Sequence, residues 1–118
     1  MLINYNKQKS EIKKELFKQQ RIKILTALQN SKNPIPLVKL ASIIPEDDET
    51  RHYAHTRKLI RDIVDNLKIP IVANNHGYFI AKTQEEINKY KQRITNSIDG
   101  LYYRLQILNI AFDATKKE

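Results

Sequence analysis

Ile69-Pro-Ile-Val-Ala73, Asn74-Asn-His-Gly77 and Tyr78-Phe-Ile-Ala81 follow one another in the second half of this chain of 118 residues. The two outer runs are rich in β-branched and aromatic residues, which favour strands, and the middle run has the Asn and Gly of a tight turn. The stretch therefore predicts a local antiparallel β-hairpin, in which Gly77 is available for a positive φ.

The segment before this hairpin, from Glu49 to Lys68, predicts an amphipathic helix. Six of its residues fall within one broad face at about 100° per residue and are expected to pack on the core: Tyr53, Thr56, Ile60, Ile63, Val64 and Leu67. The opposite face carries Arg51, His55, Lys58, Asp62 and Asp65. Pro45-Glu-Asp-Asp48 predicts a turn before the helix, and Asp47 or Asp48 can cap it.

Two further helices are predicted upstream. The first, from Ser10 to Asn30, follows a basic extension and has a largely helical apolar rhythm at Ile12, Leu16, Phe17, Ile24, Leu25 and Leu28. Ser31-Lys-Asn-Pro34 ends it, because the residue before a proline disfavours the helical region. A short helix then fits Pro36 to Ile43, with Leu37, Leu40 and Ile43 or Ile44 facing inward.

The last helix is expected to begin at Thr83, because Thr83-Gln-Glu-Glu86 has the spacing of a capping box. Apolar residues then alternate at spacings of four and three from Ile87, with Lys91 as a polar interruption, which is the pattern of a two-helix coiled coil. Gly100 indicates a bend or a close helix approach. The candidate dimerisation residues are Ile94, Ile98, Leu101, Leu105, Leu108 and Phe112.

The predicted fold class is therefore mainly α with a small β-hairpin. Three helices followed at once by a hairpin give a winged helix-turn-helix, and a long C-terminal helix follows it. We expect a basic extension over residues 1–19, a winged-helix DNA-binding domain over 20–82 and a dimerisation helix over 83–115. A homodimer would pair two DNA half-sites, and the alternative is that the apolar stripe packs on the chain's own first helix.

The charge composition favours a polyanionic partner. Lys and Arg number 21 and Asp and Glu 13, a formal net charge of +8, so double-stranded DNA is the first expectation and a lipid surface the second. The chain has no cysteine, no apolar run long enough to span a bilayer and no signal-peptide pattern at its start. These features favour a cytoplasmic protein of a bacterial or infected host cell, without a membrane partner.

In a winged helix the third helix enters the major groove and the hairpin reaches the adjacent backbone or minor groove. Arg51 is the candidate for reading a guanine edge, Lys58 suits a phosphate, and Asp62 and Asp65 should repel phosphate. The first half of the helix should therefore face the DNA, although each cation could equally belong to a merely solvated face. The candidate DNA contacts are Arg51, His52, His55, Arg57, Lys58, Arg61, Asn74, Asn75, His76 and Lys82.

Catalysis has no support in the sequence. It contains no Gly-rich phosphate loop, no Ser nucleophile elbow and no pair of carboxylates suited to a pocket, so neither enzyme activity nor a cofactor is expected. His52 and His55 have a spacing that could hold a metal, with His76 as a third ligand, but no Cys or carboxylate is placed to complete the shell. Weak, pH-dependent phosphate contacts are the more ordinary role for these histidines.

Three passages carry a family resemblance: Thr56-Arg-Lys-Leu-Ile-Arg-Asp-Ile-Val-Asp-Asn-Leu-Lys-Ile-Pro-Ile71, Asn75-His-Gly-Tyr-Phe-Ile-Ala-Lys-Thr83 and Glu85-Glu-Ile-Asn-Lys-Tyr90. Over residues 20–108 the chain resembles small winged-helix proteins of phages and mobile elements of low-GC Gram-positive bacteria. The resemblance implies DNA binding in replication or gene control. Such proteins usually have Ser or Thr before helices two and three and Gly before the Ile-Pro-Ile strand, where this chain has Pro36, Asp47 or Asp48, and Lys68.

Two functions therefore compete. The first is a duplex-DNA-binding transcriptional regulator of a phage or mobile element. The second is a replication-associated DNA-binding or adaptor protein, whose C-terminal helix contacts a protein partner instead of a second copy. Duplex binding and the oligomeric state distinguish them.

Overall fold

The computed structural model describes residues 5–44 and 52–116. The expected mainly helical fold, with a small antiparallel hairpin and a long C-terminal helix, is confirmed, and the predicted turn at residues 45–48 lies outside the described residues. None of the described helices has the length and apolar composition that crossing a membrane requires. In chain order the elements are α1 (Tyr5–Asn30), α2 (Leu37–Ile43), α3 (His52–Leu67), β1 (Ile71–Asn74), β2 (Gly77–Ile80) and α4 (Gln84–Lys116).

The first helix is longer than the sequence suggests. It begins at Tyr5 and not at Ser10, so the segment 1–19, counted above as a basic extension, belongs from residue 5 onward to one continuous helix. Ile12 and Leu16, expected on the core side, are exposed in this half, whereas Ile24 is completely buried. The helix therefore enters the core only in the part that follows residue 16.

The first three helices and the hairpin share one apolar core. Its buried members are Ile24, Leu28, Leu40, Ile44, Leu59, Ile60, Ile63 and Ile71. Ile24 and Leu28 lie about one helical turn apart, as do Ile60 and Ile63, so each pair occupies one face of its helix. Full burial of an aliphatic side chain contributes about 1.5–3 kcal/mol, and a helix as short as α2 depends on such packing.

The buried side of α3 differs from the predicted stripe. Ile60 and Ile63 are buried as expected, but Leu59, which the stripe omits, is completely buried. Tyr53 and Leu67, at the two ends of the stripe, are 46% and 50% exposed. At about 100° per residue, the centre of the buried side is shifted by about 40° toward Leu59.

The hairpin is hydrogen-bonded to the segment between α1 and α2. Its strands pair with Asn74 opposite Gly77, so residues 75 and 76 form the loop. On the other edge of β2, Ile35 forms an isolated antiparallel bridge with Tyr78. The N–H of Ile35 donates to the carbonyl of Tyr78 at 2.8 Å, and the N–H of Tyr78 donates back at 2.9 Å. A single residue thus acts as a third strand.

The chain divides into two compact units, with the boundary between Ala81 and Lys82. The second unit is built on α4, which continues as a helix through Gly100 to Lys116, and none of its residues is buried. A Cβ at Gly100 would meet no atom within 4 Å. The close approach that the sequence indicated at Gly100 is therefore not made by the described residues of this chain.

The start of α4 has the predicted capping box. The N–H of Glu86 donates to Oγ1 of Thr83 at 3.2 Å, and Oε1 of Glu86 accepts from the N–H groups of Thr83 at 3.1 Å and of Lys82 at 2.8 Å. These bonds, above all the one from Lys82, lower the pKa of the Glu86 carboxyl, because they favour its charged form.

Acid should weaken this cap. The pKa of Glu86 is lowered in the folded state, so its carboxylate stabilises the fold above the unfolded-state value of about 4.3, and this stabilisation is lost as the pH falls through the lower folded-state pKa. The thermal midpoint of the wild type should exceed that of Glu86→Gln at neutral pH, and the difference should shrink in acid. A difference that is the same at every pH would contradict this account.

Candidate nucleic-acid interface

Three basic side chains lie on the side of α3 that faces away from the core. Arg57, Lys58 and Arg61 are exposed, and at about 100° per residue they lie within a third of a turn of one another, opposite Leu59 and Ile63. Arg57 and Arg61 are about 6 Å apart along the helix axis. We call these three residues the α3 strip.

His55 does not lie on the fully exposed face that the sequence indicated. It is half-buried against α1, where its Nε2 lies 2.9 Å from Oε1 of the buried Gln20. Its ring also meets the ring of Phe17 edge-on, with 5.1 Å between the centroids. A carboxamide oxygen only accepts, so a hydrogen bond at this contact requires a hydrogen on Nε2. His55 therefore takes part in the packing of α3 against α1.

Asp62 is also half-buried, instead of exposed as expected. Its carboxylate pairs with the guanidinium of Arg21 on α1 and accepts a hydrogen bond from the side-chain amide of Asn66. A carboxylate paired with an arginine presents little net charge to an approaching anion. Asp65 is exposed one turn away. The acidic character expected of the later half of α3 is therefore reduced by one charge.

A groove of about 540 Å³ lies between α1 and α3. Five of its lining residues are basic and two are acidic, and the Arg21–Asp62 pair removes one of each. Four cations then face one carboxylate, so the groove suits an anion. The lining residues are Ser10, Lys13, Lys14, Phe17, Arg21, Lys58, Arg61, Asp62 and Asp65.

Lys58 belongs both to the α3 strip and to this groove. Its Nζ lies 5.5 Å from the centroid of the Phe17 ring, within the range of a cation–π interaction. At an exposed site such a contact contributes about 0.5–1 kcal/mol. The aromatic ring thus favours one position of the lysine at the groove, while the residue stays exposed.

Lys13 and Lys14 are groove residues that the sequence reasoning missed. Ser10, Lys13 or Lys14, Phe17 and Arg21 recur at spacings of three and four, which places them on one face of a helix. The helix predicted from Ser10 already contains this face, but nothing in the sequence shows that the face lies beside the cations of α3.

The hairpin loop presents Asn75 and His76 to solvent. Oδ1 of Asn74 accepts the N–H of His76 at 2.8 Å, so this side chain helps to close the turn. Gly77 has φ 138° and lies against the segment between α1 and α2. A Cβ at Gly77 would lie less than 3.0 Å from the carbonyl carbon and oxygen of Ile35. Only glycine fits this position without a shift of the backbone.

Gly77→Ala should therefore destabilise the first unit. The strained backbone alone costs about 1–3 kcal/mol, and the overlap with Ile35 adds to it. Urea unfolding followed by circular dichroism measures the effect. Gly100→Ala is the matched control, because a Cβ there meets nothing within 4 Å, and it should be neutral or stabilise by up to about 1 kcal/mol. Equal stability of Gly77→Ala and the wild type would refute the close contact.

Lys68 ends α3 and turns the chain toward β1. Its φ of 57° lies in the left-handed region, and its N–H donates to the carbonyl of Val64 at 3.1 Å. A residue with a Cβ pays about 1–2 kcal/mol in this conformation. Glycine, which has no Cβ, would adopt this backbone conformation without that cost.

Lys68→Gly should stabilise the protein by up to about 1 kcal/mol, because it removes the Cβ strain but adds freedom to the unfolded chain. Lys68→Ala removes the same charge and keeps the Cβ. The difference in unfolding free energy between these two variants isolates the backbone effect. If Lys68→Ala is stabilised as much as Lys68→Gly, the charge and not the conformation is responsible.

The remaining candidate residues are placed as follows. Arg51 lies outside the described residues, His52 is the first residue of α3, and Lys82 is exposed. The candidate dimerisation residues lie along one side of α4, and their exposed fractions run from 42% to 62%. We call this row the seam; it consists of Ile94, Ile98, Leu101, Leu105, Leu108 and Phe112.

Within residues 5–44 and 52–116, no group of three or more His, Asp or Glu residues could hold a metal ion. Comparison of the chain with protein families, with curated proteins and with solved structures found no match. A function for this chain is therefore argued from the α3 strip, the groove, the hairpin loop and the seam.

Proposed function

We propose that this chain binds duplex DNA as a winged helix-turn-helix protein, with α3 in the major groove and the hairpin as the wing. The observation that carries the proposal is the α3 strip, three exposed cations on a helix whose opposite side is buried. The major groove admits a helix, and cations on that helix can reach phosphates and base edges. The biological role we propose is regulation of transcription in a phage or mobile element.

The order of the elements supports a winged helix. β1 and β2 follow α3 after a short connection, and Ile35 adds its bridge to β2 from the segment between α1 and α2. Ile71 of β1 is buried in the core that α3 shares. The hairpin is thus attached to the helices both by packing and by hydrogen bonds, which a wing needs if it is to contact DNA beside the recognition helix.

The α3 strip supplies two kinds of contact. Arg57 and Arg61 can bond a guanine edge or a phosphate with two parallel hydrogen bonds, whereas Lys58 offers a point charge to a phosphate. The proposed interface is centred on residues 57–61. It therefore extends further along α3 than the segment of residues 50–58 that the sequence favoured, because Asp62 is paired with Arg21.

The groove extends this positive surface onto α1. Lys13 and Lys14 lie on the groove together with Lys58 and Arg61 of α3. Neutralising several phosphates releases counterions, which strengthens binding at low salt. We therefore include the two α1 lysines among the proposed backbone contacts. The exposed loop residues 75 and 76 would reach the flanking backbone or minor groove.

The seam is proposed to pair two copies as a coiled coil, which would present two α3 helices to two half-sites. The same exposed seam also favours the second candidate, a replication-associated or adaptor protein that uses α4 to bind another protein. A monomeric chain that binds no duplex would favour the adaptor.

Fluorescence anisotropy with a mixed-sequence duplex over a salt series tests DNA binding. Wild-type affinity should fall steeply with salt. The combined variant Arg57→Ala, Lys58→Ala, Arg61→Ala should bind more weakly. Its log–log salt dependence should be shallower by about one for each phosphate that the variant no longer neutralises.

The control removes the same charge elsewhere. Lys18→Ala, Lys23→Ala and Lys32→Ala together change three exposed cations that do not line the groove. This variant should keep nearly the wild-type salt dependence, and circular dichroism checks that both variants fold. An equal decrease of affinity in the two variants contradicts the α3 interface, and absence of duplex binding at low salt contradicts DNA binding altogether.

A further inference from the structure

The last helix carries a second apolar row, on the side opposite the seam. Tyr103, Ile107, Ile110 and Ala114 recur at spacings of three and four residues, so they follow one line along α4. At 100° per residue this line lies about 180° from the seam around the helix axis. Its three large side chains are 63%, 45% and 64% exposed. We call these four residues the second row.

The seam and the second row together make one part of α4 apolar almost all round. From Leu101 to Phe112 only Arg104, Gln106 and Asn109 are polar. Residues 84–97, by contrast, are mostly polar and carry their few large apolar side chains on the side of the seam. A helix that is apolar on every side is normally covered on every side.

A two-helix coiled coil would cover only the seam. In such a pair the a and d positions face the partner, and the far side of each helix faces solvent. The seam residues occupy the a and d positions, so pairing through them would leave Tyr103, Ile107 and Ile110 in water. A contiguous exposed apolar surface of this kind marks an interaction site.

The charge distribution favours a second copy of this chain as the partner on the second row. Residues 98–114 contain one arginine and two aspartates, a net charge of −1 in a chain of +8, so the remaining residues carry +9. Copies of so basic a chain repel one another wherever their other parts meet, and least at this nearly neutral segment. An acidic partner, in contrast, would be drawn to the basic parts of the chain.

We infer that the second row binds the second row of another copy, so that the protein assembles beyond the dimer. The seam joins two chains, and the second row joins each of them to a further copy. Because the two rows lie on opposite faces of α4, the contacts do not close at two chains. The inference rests on the proposed seam but not on DNA binding.

Sedimentation equilibrium of the full chain without DNA, over a wide range of concentration, tests this inference. The mean mass of the wild type should rise above twice the chain mass of 13.9 kDa as the concentration increases. The combined variant Tyr103→Gln, Ile107→Gln, Ile110→Gln should stop at two chains, since glutamine keeps a good helix propensity.

Two further variants make the result specific. Ile12→Gln, Leu16→Gln and Ile22→Gln remove three side chains of α1 that are 69%, 51% and 53% exposed, and this variant should assemble like the wild type. Leu101→Gln, Leu105→Gln and Leu108→Gln disrupt the seam and should also stop assembly at two chains. The two α4 triple variants combined should be monomeric.

The results that would contradict the inference can be told apart. A wild-type mass that stays at two chains refutes association through the second row but leaves pairing through the seam intact. A monomeric wild type refutes both associations. Duplex binding is tested separately by the salt series and is not affected by this result. If the α1 variant fails to assemble beyond two chains, the contact depends on α1 instead of the second row of α4, and the inference is overturned. Circular dichroism at each concentration shows whether the variants keep the helix content of α4.

Discussion

The burial of Leu59 and Ile63 is the constraint on which the proposed interface depends. Both side chains are completely buried, and in a close-packed core two neighbouring residues of one helix face leave that helix little freedom to rotate about its axis. This rotation decides which polar residues of α3 reach solvent. It places the α3 strip outward and brings His55 and Asp62 to α1, where one meets Gln20 and the other pairs with an arginine.

The hairpin depends on the same core. Ile71 is buried among the helical residues, and Ile35 bonds to the outer edge of β2. The hairpin loop and the α3 strip thus belong to one compact unit, and the exposed apolar rows belong to the other. Binding a phosphate backbone is electrostatic and salt-dependent, whereas association through apolar rows depends on removing them from water. A chain that separates basic from apolar surface can carry both interactions without one opposing the other.

Much of the fold is predictable from short stretches of sequence. The capping box at Thr83, the hairpin around Gly77 and the short helix after Pro36 each depend on residues a few positions apart. The site is less predictable. Of the α3 strip only Lys58 is recognisable, because the apolar rhythm of α3 places it opposite the core and leaves Arg57 and Arg61 outside that face. Lys13 and Lys14 are not, because the apolar residues of their half of α1 do not enter the core and so mark no face.

By itself, the sequence determined the order of the helices and strands, although not where α1 begins, as well as the excess of positive charge and the two apolar rows of α4, because each is a property of neighbouring residues. Only the tertiary structure decided that Asp62 pairs with Arg21, that His55 meets Gln20, and that a groove opens between α1 and α3. These pairs are 41 and 35 residues apart in the chain. Whether they meet depends on the rotation of each packed helix about its axis, and for α3 that rotation differs by about 40° from the one its periodicity implied.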